Sequence, residues 1–232
     1  MKAALAFIGR EREPFLVHVH LMVTHGPKVA PKNRLFSAGK TQDGEWMDDF
    51  YDDAILDFDG HIKNIVEYLE KNGFLDHTII VVLTDHGQKW APFERLPLII
   101  RFPGGEHAGR ISDNVQYIDL APTILDYLGL EIPPWMEGAS LLSGDMDPMR
   151  PIFAASVKDS VFLPIKGMGV ISGIICQRYF WMNFSEPLPA PFNWFNVKGH
   201  TAPCDEKEIP SQAHLMELLV EHMREKGYDF PR

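Results

Sequence analysis

Hydrophobic and polar positions follow two different spacings through the first two thirds of the chain. Apolar residues recur at helical spacing after residue 45, and the pattern stops at Gly73, a residue suited to the left-handed turn that ends a helix. We therefore predict a helix over residues 45–72. Two β-branched runs, 78–84 (TIIVVLT) and 96–102 (LPLIIRF), predict strands, and the first is typical of a strand covered on both faces.

Two further segments complete the first predicted domain. Residues 15–22 (FLVHVHLM) combine apolar residues with strand formers and predict a buried strand, and residues 118–128, closed by Gly129, predict a helix. The order strand, helix, strand favours an α/β sandwich around a largely parallel sheet. We place this domain at residues 1–147.

The amino-acid composition of the sequence changes after residue 147. Proline, glycine and aromatic residues crowd 151–203, with short strand-like runs at 152–157, 170–176 and 178–184. A last amphipathic helix fits residues 211–226, with Ser211 as its N-cap and Gly227 as its stop. We predict a small antiparallel sheet packed by a helix, forming a second domain over residues 148–232.

Composition narrows the class of protein. The chain has 232 residues, of which 45% are hydrophobic and 23% charged, the balance of a globular protein. A formal net charge of −10 argues against a nucleic-acid binder. The apolar runs are far shorter than the ~20 residues of a membrane span, so we expect none.

Acidic residues concentrate between positions 43 and 76, where the sequence has eleven Asp or Glu residues and only two lysines. We interpret them as a solvent-exposed helix face. The cluster DFDGH at 57–61 lies inside the predicted helix, so we interpret it as structural rather than as a second metal site.

The two cysteines, Cys176 and Cys204, form no CxxC pair and predict no disulfide framework. The first fifteen residues lack the long apolar core of a signal peptide. Both observations favour a reducing compartment, and the cytoplasm if Met1 is the natural start; the localisation is otherwise unknown.

The sharpest local motif is TDHG at residues 84–87, directly after a predicted strand. Ligands gather at the carboxyl ends of strands in parallel sheets. The Asp85 carboxylate and the His86 imidazole together suit Mn, Zn or Fe and tolerate Ca or Mg. Asp and Gly are also ordinary turn residues after a strand. The tetrapeptide alone therefore leaves a metal site and a simple turn both open.

Four stretches, taken together, resemble the carboxyl-terminal half of the sulfatase family in the alkaline-phosphatase superfamily. Their order and spacing match that family, and the resemblance implies an alkaline-phosphatase-like α/β sandwich. The stretches are 14–27 (PFLVHVHLMVTHGP), 51–87 (YDDAILDFDGHIKNIVEYLEKNGFLDHTIIVVLTDHG), 95–105 (RLPLIIRFPGG) and 115–142 (VQYIDLAPTILDYLGLEIPPWMEGASLL).

The resemblance implies roles for four residues. Asp85 and His86 match the late pair of metal ligands; His in place of the family's frequent Asn leaves the metal (Ca, Mn or Zn) open and keeps phosphate and phosphonate esters among the substrates. His25 matches the active-site histidine that contacts the sulfate and the leaving-group oxygen. Lys89, the only lysine of the short connection QKWAPFE, matches the sulfate-contacting lysine, although that short connection leaves its alignment ambiguous.

Two elements of the family are absent from this sequence: the C/S-x-P-x-R motif that yields the formylglycine nucleophile, and the early Asp pair of the metal site. Two hypotheses follow. The chain is the carboxyl-terminal portion of a hydrolase of small sulfate or phosphate esters, inactive and weak in metal binding by itself, with its other half in a separate chain or missing. Alternatively, it is a non-catalytic accessory or binding module derived from the same fold.

Overall fold

The structure is a computed structural model that describes residues 2–10, 14–88, 93–144, 146–147, 149–157, 168–184, 191–197, 199, 201–202 and 204–227. Compactness divides the chain into two units, 1–91 with 96–108 and 92–95 with 109–232. This division does not coincide with the boundary between residues 147 and 148, which stays a prediction.

The first unit contains helices α1 (Lys2–Ile8) and α2 (Asp48–Lys71) and strands β1 (Ile80–Leu83) and β2 (Leu98–Arg101). The sequence predicted all of these but α1. Helix α2 ends as expected, because Gly73 has a φ of 75° and its N–H donates to the Glu70 carbonyl while the Phe74 N–H donates to the Leu69 carbonyl. These two bonds satisfy carbonyls that a helix end leaves without a partner.

The parallel sheet predicted for this unit is not found in the described residues. Strands β1 and β2 pair antiparallel, with Val81 opposite Ile100. Residues 15–22, predicted as a buried strand, join no ladder in the described structure. Partly buried and exposed residues alternate along them, and Leu16 is 93% exposed. A sequence pattern sets the local extended conformation, whereas pairing direction depends on which strand supplies the partner.

Strand β1 is also less covered than its β-branched run predicted. None of its four residues is fully buried, and on the neighbouring strand Ile99 is 62% exposed. Apolar composition favours burial on both faces only when other layers are present to supply it. Within the described part of the chain, no helix is both long and apolar enough to cross a membrane.

The second unit opens with helix α3 (Leu120–Tyr127), which continues from the 3₁₀ turn Tyr117–Asp119. The Asp119 carboxylate is fully buried and forms two 2.9 Å bonds with the Arg150 guanidinium. It also accepts from the backbone N–H groups of Gln116 and Ala139. One buried carboxylate thus fixes three chain segments that are distant in sequence.

The carboxyl-terminal sheet agrees with its prediction. Its strands are antiparallel in sequence order, and helix α4 shares a core with strands β4 and β5. The Ser211 hydroxyl caps α4 by accepting from the His214 N–H, as expected. Only the last strand was not predicted. The elements are β3 (Ile152–Val157), β4 (Met168–Ile175), β5 (Arg178–Asn183), β6 (Phe192–Asn196) and α4 (Gln212–Glu225).

The prediction of no disulfide is wrong, because Cys176 and Cys204 are joined. Cys176 and Gln177 form the two-residue turn between β4 and β5, both with positive φ, as tight hairpin turns require. This turn brings Cys176 against the segment that leads into α4. A separation of 28 positions carries no local signal, so the sequence pattern missed the pair. The cysteines therefore no longer favour a reducing compartment.

Candidate functional site

The TDHG motif forms a tight turn directly after β1. The Thr84 hydroxyl donates to the His86 carbonyl at 2.9 Å, and the His86 N–H donates to Asp85 Oδ1 at 3.1 Å. These bonds bring the two candidate ligands to one side of the turn, with Asp85 Oδ2 at 3.7 Å from His86 Nε2. The Asp85 side chain is 63% exposed, and that of His86 is 29% exposed.

The hydrogen bonding of His86 assigns its tautomer. Nδ1 lies 2.8 Å from the Gly87 carbonyl oxygen, which can only accept, so Nδ1 carries the proton. In the neutral imidazole the lone pair is then on Nε2, the nitrogen nearer to Asp85. A backbone carbonyl that orients the other ring nitrogen is the usual support for a metal-binding histidine.

His25 lies beside this turn, although it comes from a distant part of the sequence. The His25 and His86 rings are in an edge-to-face contact, with centroids 5.8 Å apart and planes at 72°. A turn positions His25, because its N–H donates to the Met22 carbonyl and Gly26 follows with a φ of 97°. Three of the four predicted site residues are thus close together.

The fourth predicted site residue, Lys89, lies outside the described residues. Next to it, Gln88 was not singled out from the sequence. Its Nε2 is buried and has no hydrogen-bond partner, the only such side-chain atom in the described part of the chain. A polar residue after glycine in a turn gives no pattern that marks it, so only the structure reveals this donor.

The donor set at the turn fits a divalent metal in part. A carboxylate and a neutral imidazole suit the metals proposed, but a tight site needs more protein ligands. Among the residues that the structure describes, no group of three or more His, Cys, Asp or Glu side chains is arranged to hold a metal ion.

Two carboxylates of α2 turn inward and anchor the loop that follows His25. Asp53 is fully buried and accepts from the backbone N–H groups of Leu35, Phe36 and Ser37, and from the Ser37 hydroxyl at 2.5 Å. One turn later, Asp57 accepts from the Lys32 and Asn33 N–H groups and from the Asn33 side chain.

These contacts correct the expectation of a wholly solvent-exposed acidic face, and they support the structural interpretation of the 57–61 cluster. Burial raises the pKa of Asp53, but the hydrogen bonds from Ser37, Phe36 and Leu35 outweigh it and hold the pKa well below its usual range. The backbone N–H of Lys32 lowers the pKa of Asp57 against the effect of burial. Both side chains are therefore ionised at neutral pH, and both accept hydrogen bonds from the loop.

Several known proteins are similar to this chain, including the following three. An N-acetylglucosamine-6-O-sulfatase of Bacteroides thetaiotaomicron is 40% identical over 101 residues, which cover 38% of this chain and 18% of that protein. A protein solved in complex with its substrate D-glucosamine-2-N,6-O-disulfate aligns with a TM-score of 0.55 and 24% identity, covering 78% of this chain and 41% of the other. Ps i-CgsB, solved with k-i-k-neocarrahexaose, aligns with a TM-score of 0.64 and 19% identity, covering 99% of this chain and 54% of the other.

The structural alignments show that the fold of these proteins, the alkaline-phosphatase-like fold, is shared in part. The chain covers between 8% and 28% of the length of the curated relatives compared. The model of the Sulfatase family matches residues 1–130, more than half of the chain. On this evidence the chain belongs to the sulfatase family.

Proposed function

We propose that this chain contributes part of the active site of a metal-dependent hydrolase of sulfate esters. In this proposal Asp85 and His86 are two of the metal ligands, and His25 contacts the leaving-group oxygen. The observation that carries it is the contact between the His25 and His86 rings, because it joins two motifs that the sequence keeps far apart.

His25 has the chemistry that ester cleavage requires at the leaving oxygen. Negative charge develops on that oxygen as its bond to sulfur breaks, and an imidazole N–H donor stabilises it. The side chain of His25 is exposed, so a substrate can approach it from solvent. The His86 ring at its edge limits the directions in which the imidazole can turn.

Asp85 and His86 would hold the cation, Ca, Mn or Zn, through a carboxylate oxygen and Nε2. When bound, the cation supplies Lewis-acid stabilisation of the anionic ester oxygens. The Gly87 carbonyl keeps the His86 lone pair on Nε2, which supports this assignment. Because this chain supplies only two ligands in this proposal, we expect it to bind the metal weakly by itself.

We retain Lys89 as the residue that contacts the ester's anionic group, on the resemblance of its position. An ammonium beside a sulfate is electrostatically favourable. The names of two relatives, an N-acetylglucosamine-6-O-sulfatase and a protein with a disulfated glucosamine substrate, favour an amino-sugar sulfate over a phosphate or phosphonate ester as the first substrate to test.

In this proposal the nucleophile comes from outside the 232 residues, because the sequence contains no C/S-x-P-x-R motif. We propose that further sequence of the sulfatase type, in the same polypeptide or in a separate one, supplies it together with the early Asp ligands. The absence of the motif also supports a second candidate function, that of a non-catalytic binding module. A C/S-x-P-x-R motif in the adjacent coding sequence supports the hydrolase, and its absence there favours the module.

The first test is hydrolysis. The purified chain should not turn over 4-nitrophenyl sulfate or N-acetylglucosamine 6-sulfate, because no covalent intermediate can form without the nucleophile. Multiple turnovers by the chain alone would overturn the proposed incompleteness.

The second test is metal binding by calorimetric titration with Mn²⁺, Ca²⁺ and Zn²⁺. We expect weak binding that Asp85→Asn abolishes and Asp59→Asn leaves unchanged, since Asp59 is an exposed carboxylate on α2. Submicromolar affinity would show that the site is more complete than proposed. Equal binding by both variants would remove Asp85 from the ligand set.

A further inference from the structure

A set of soft metal donors lies outside the TDHG turn, on the segment at residues 15–22. His18, His20 and Met22 occupy alternate positions there. Partly buried and exposed residues alternate along this segment, as they do in a strand, where alternate side chains point to the same face. All three residues are exposed, and Met22 is 56% exposed. The three donors therefore share one solvent-accessible face.

The distances suit one shared cation. His20 Nε2 lies 3.1 Å from the Met22 sulfur. With metal–nitrogen and metal–sulfur bonds of about 2.0 and about 2.3 Å, a single ion spans that gap with an angle of about 90°. The His18 and His20 ring centroids are 6.3 Å apart. A metal lies ~3.2 Å from the centre of an imidazole that binds it through nitrogen. Two imidazoles on one ion can therefore have centres up to ~6.4 Å apart, and the observed separation is within that limit.

The surroundings supply an apolar border on one side. An open groove of about 490 Å³ runs between α1 and this segment, and both imidazoles line it together with Ala3, Ala4 and Phe7. None of these helix residues brings a carboxylate to the donors. Two imidazoles and a thioether form a soft ligand set, which favours Cu(I) over hard divalent cations.

We propose that His18, His20 and Met22 form a binding site for a soft monovalent cation, Cu(I) or its analogue Ag(I). This site shares no residue with the proposed Asp85–His86 pair and does not depend on the hydrolase function. Binding involves no redox step, because the cation enters and leaves as a monovalent ion.

The test is anaerobic titration of the full chain with Cu(I) against a colorimetric chelator, with ascorbate as the reductant. Thiol reductants are avoided, because they bind Cu(I) and would reduce the Cys176–Cys204 disulfide. We expect one equivalent to bind. Met22→Leu should weaken binding at least about tenfold. Even substitutions of residues that only support a metal ligand typically lower the metal affinity about 10–100-fold.

Matched controls come from α4, where Met216 is 46% exposed and the His214 side chain is 54% exposed. Met216→Leu and His214→Asn should leave the affinity unchanged, whereas His18→Asn and His20→Asn should lower it. On Ag(I) addition, the methyl resonance of Met22 should shift and that of Met216 should not. Far-ultraviolet circular dichroism confirms that each variant is folded.

Three results would overturn the proposal: no stoichiometric binding, equal affinity of the Met22→Leu and Met216→Leu variants, or loss of binding in Asp85→Asn. The last result would place the ion at the TDHG turn instead. A chain that fails as part of a hydrolase but binds Cu(I) through these three residues would leave the soft-metal site standing.

Discussion

Two regions of the molecule are stabilised by different physical means. Around α2, buried carboxylates hold an irregular loop through bonds to backbone N–H groups. In the carboxyl-terminal region, an apolar core and a disulfide hold a regular sheet and α4 together. The first arrangement depends on carboxylate ionisation and the second on apolar burial and covalent linkage. The two regions should therefore fail under different conditions.

The largest effect is expected in the apolar core. Leu219 of α4 is fully buried in the cluster with Ile171 and Phe180. Leu219→Ala should lower the free energy of unfolding by about 4 kcal/mol, from lost burial and the cavity left behind. Urea denaturation measures it, with the exposed Met216→Ala as a control that should change the value by less than about 0.5 kcal/mol. A cost below about 1 kcal/mol would mean that this region does not depend on its core.

The next effect tests the covalent link. Replacing both Cys176 and Cys204 by alanine releases a loop of 28 positions, which the chain-entropy model values at about 3.6 kcal/mol. Amide hydrogen exchange should become faster in α4 and stay unchanged in α2. Dithiothreitol should produce the same change in the unmodified chain and none in the double variant. Equal acceleration in both helices would show that the regions open together.

The third effect tests the carboxylate-held loop. Since the folded pKa of Asp53 lies below its ordinary value of 3.8, its contribution to stability is complete above pH 4 to 5. It is lost as the pH falls from there through the folded pKa. Asp53→Asn should expose the amides of Leu35, Phe36 and Ser37 to exchange at neutral pH and flatten the loop's response to acid. Asp59→Asn, on the same helix, should change neither the exchange of these amides nor the loop's response to acid. Loop amides that stay protected at neutral pH in Asp53→Asn would contradict the anchoring role.

The smallest effect concerns the one described histidine of the carboxyl-terminal region with a shifted pKa. His222 stacks on Phe153 with ring centroids 3.9 Å apart. Burial, followed by the Lys226 charge, lowers the pKa of His222, against the attraction of Glu225 and Glu137. The contribution of His222 to stability is therefore complete above pH 6.5 and declines slightly as the pH falls from there through the lowered pKa. His222→Gln should remove this decline below pH 6.5, and a variant that keeps it would assign the decline to another group.

Local pattern was enough for most helices and strands. The helical repeat and Gly73 gave α2 to within a few residues, and Ser211 marked the start of α4. These features were predictable because neighbours in sequence create them: side-chain periodicity, a capping hydroxyl and a glycine that accepts positive φ. The pairing of β4 with β5 was similarly accessible, because a connection of only two residues favours antiparallel neighbours.

Tertiary structure decided what depends on partners distant in sequence. The direction of the β1–β2 pair, the Cys176–Cys204 bond and the inward turn of Asp53 each need a second segment whose approach no local spacing records. The same holds at the candidate site. The sequence determined that His25 follows a strand-like segment and that Asp85 and His86 follow a strand, because their motifs are local. Only the folded chain brings the His25 and His86 rings to 5.8 Å, since that distance depends on how the two turns pack.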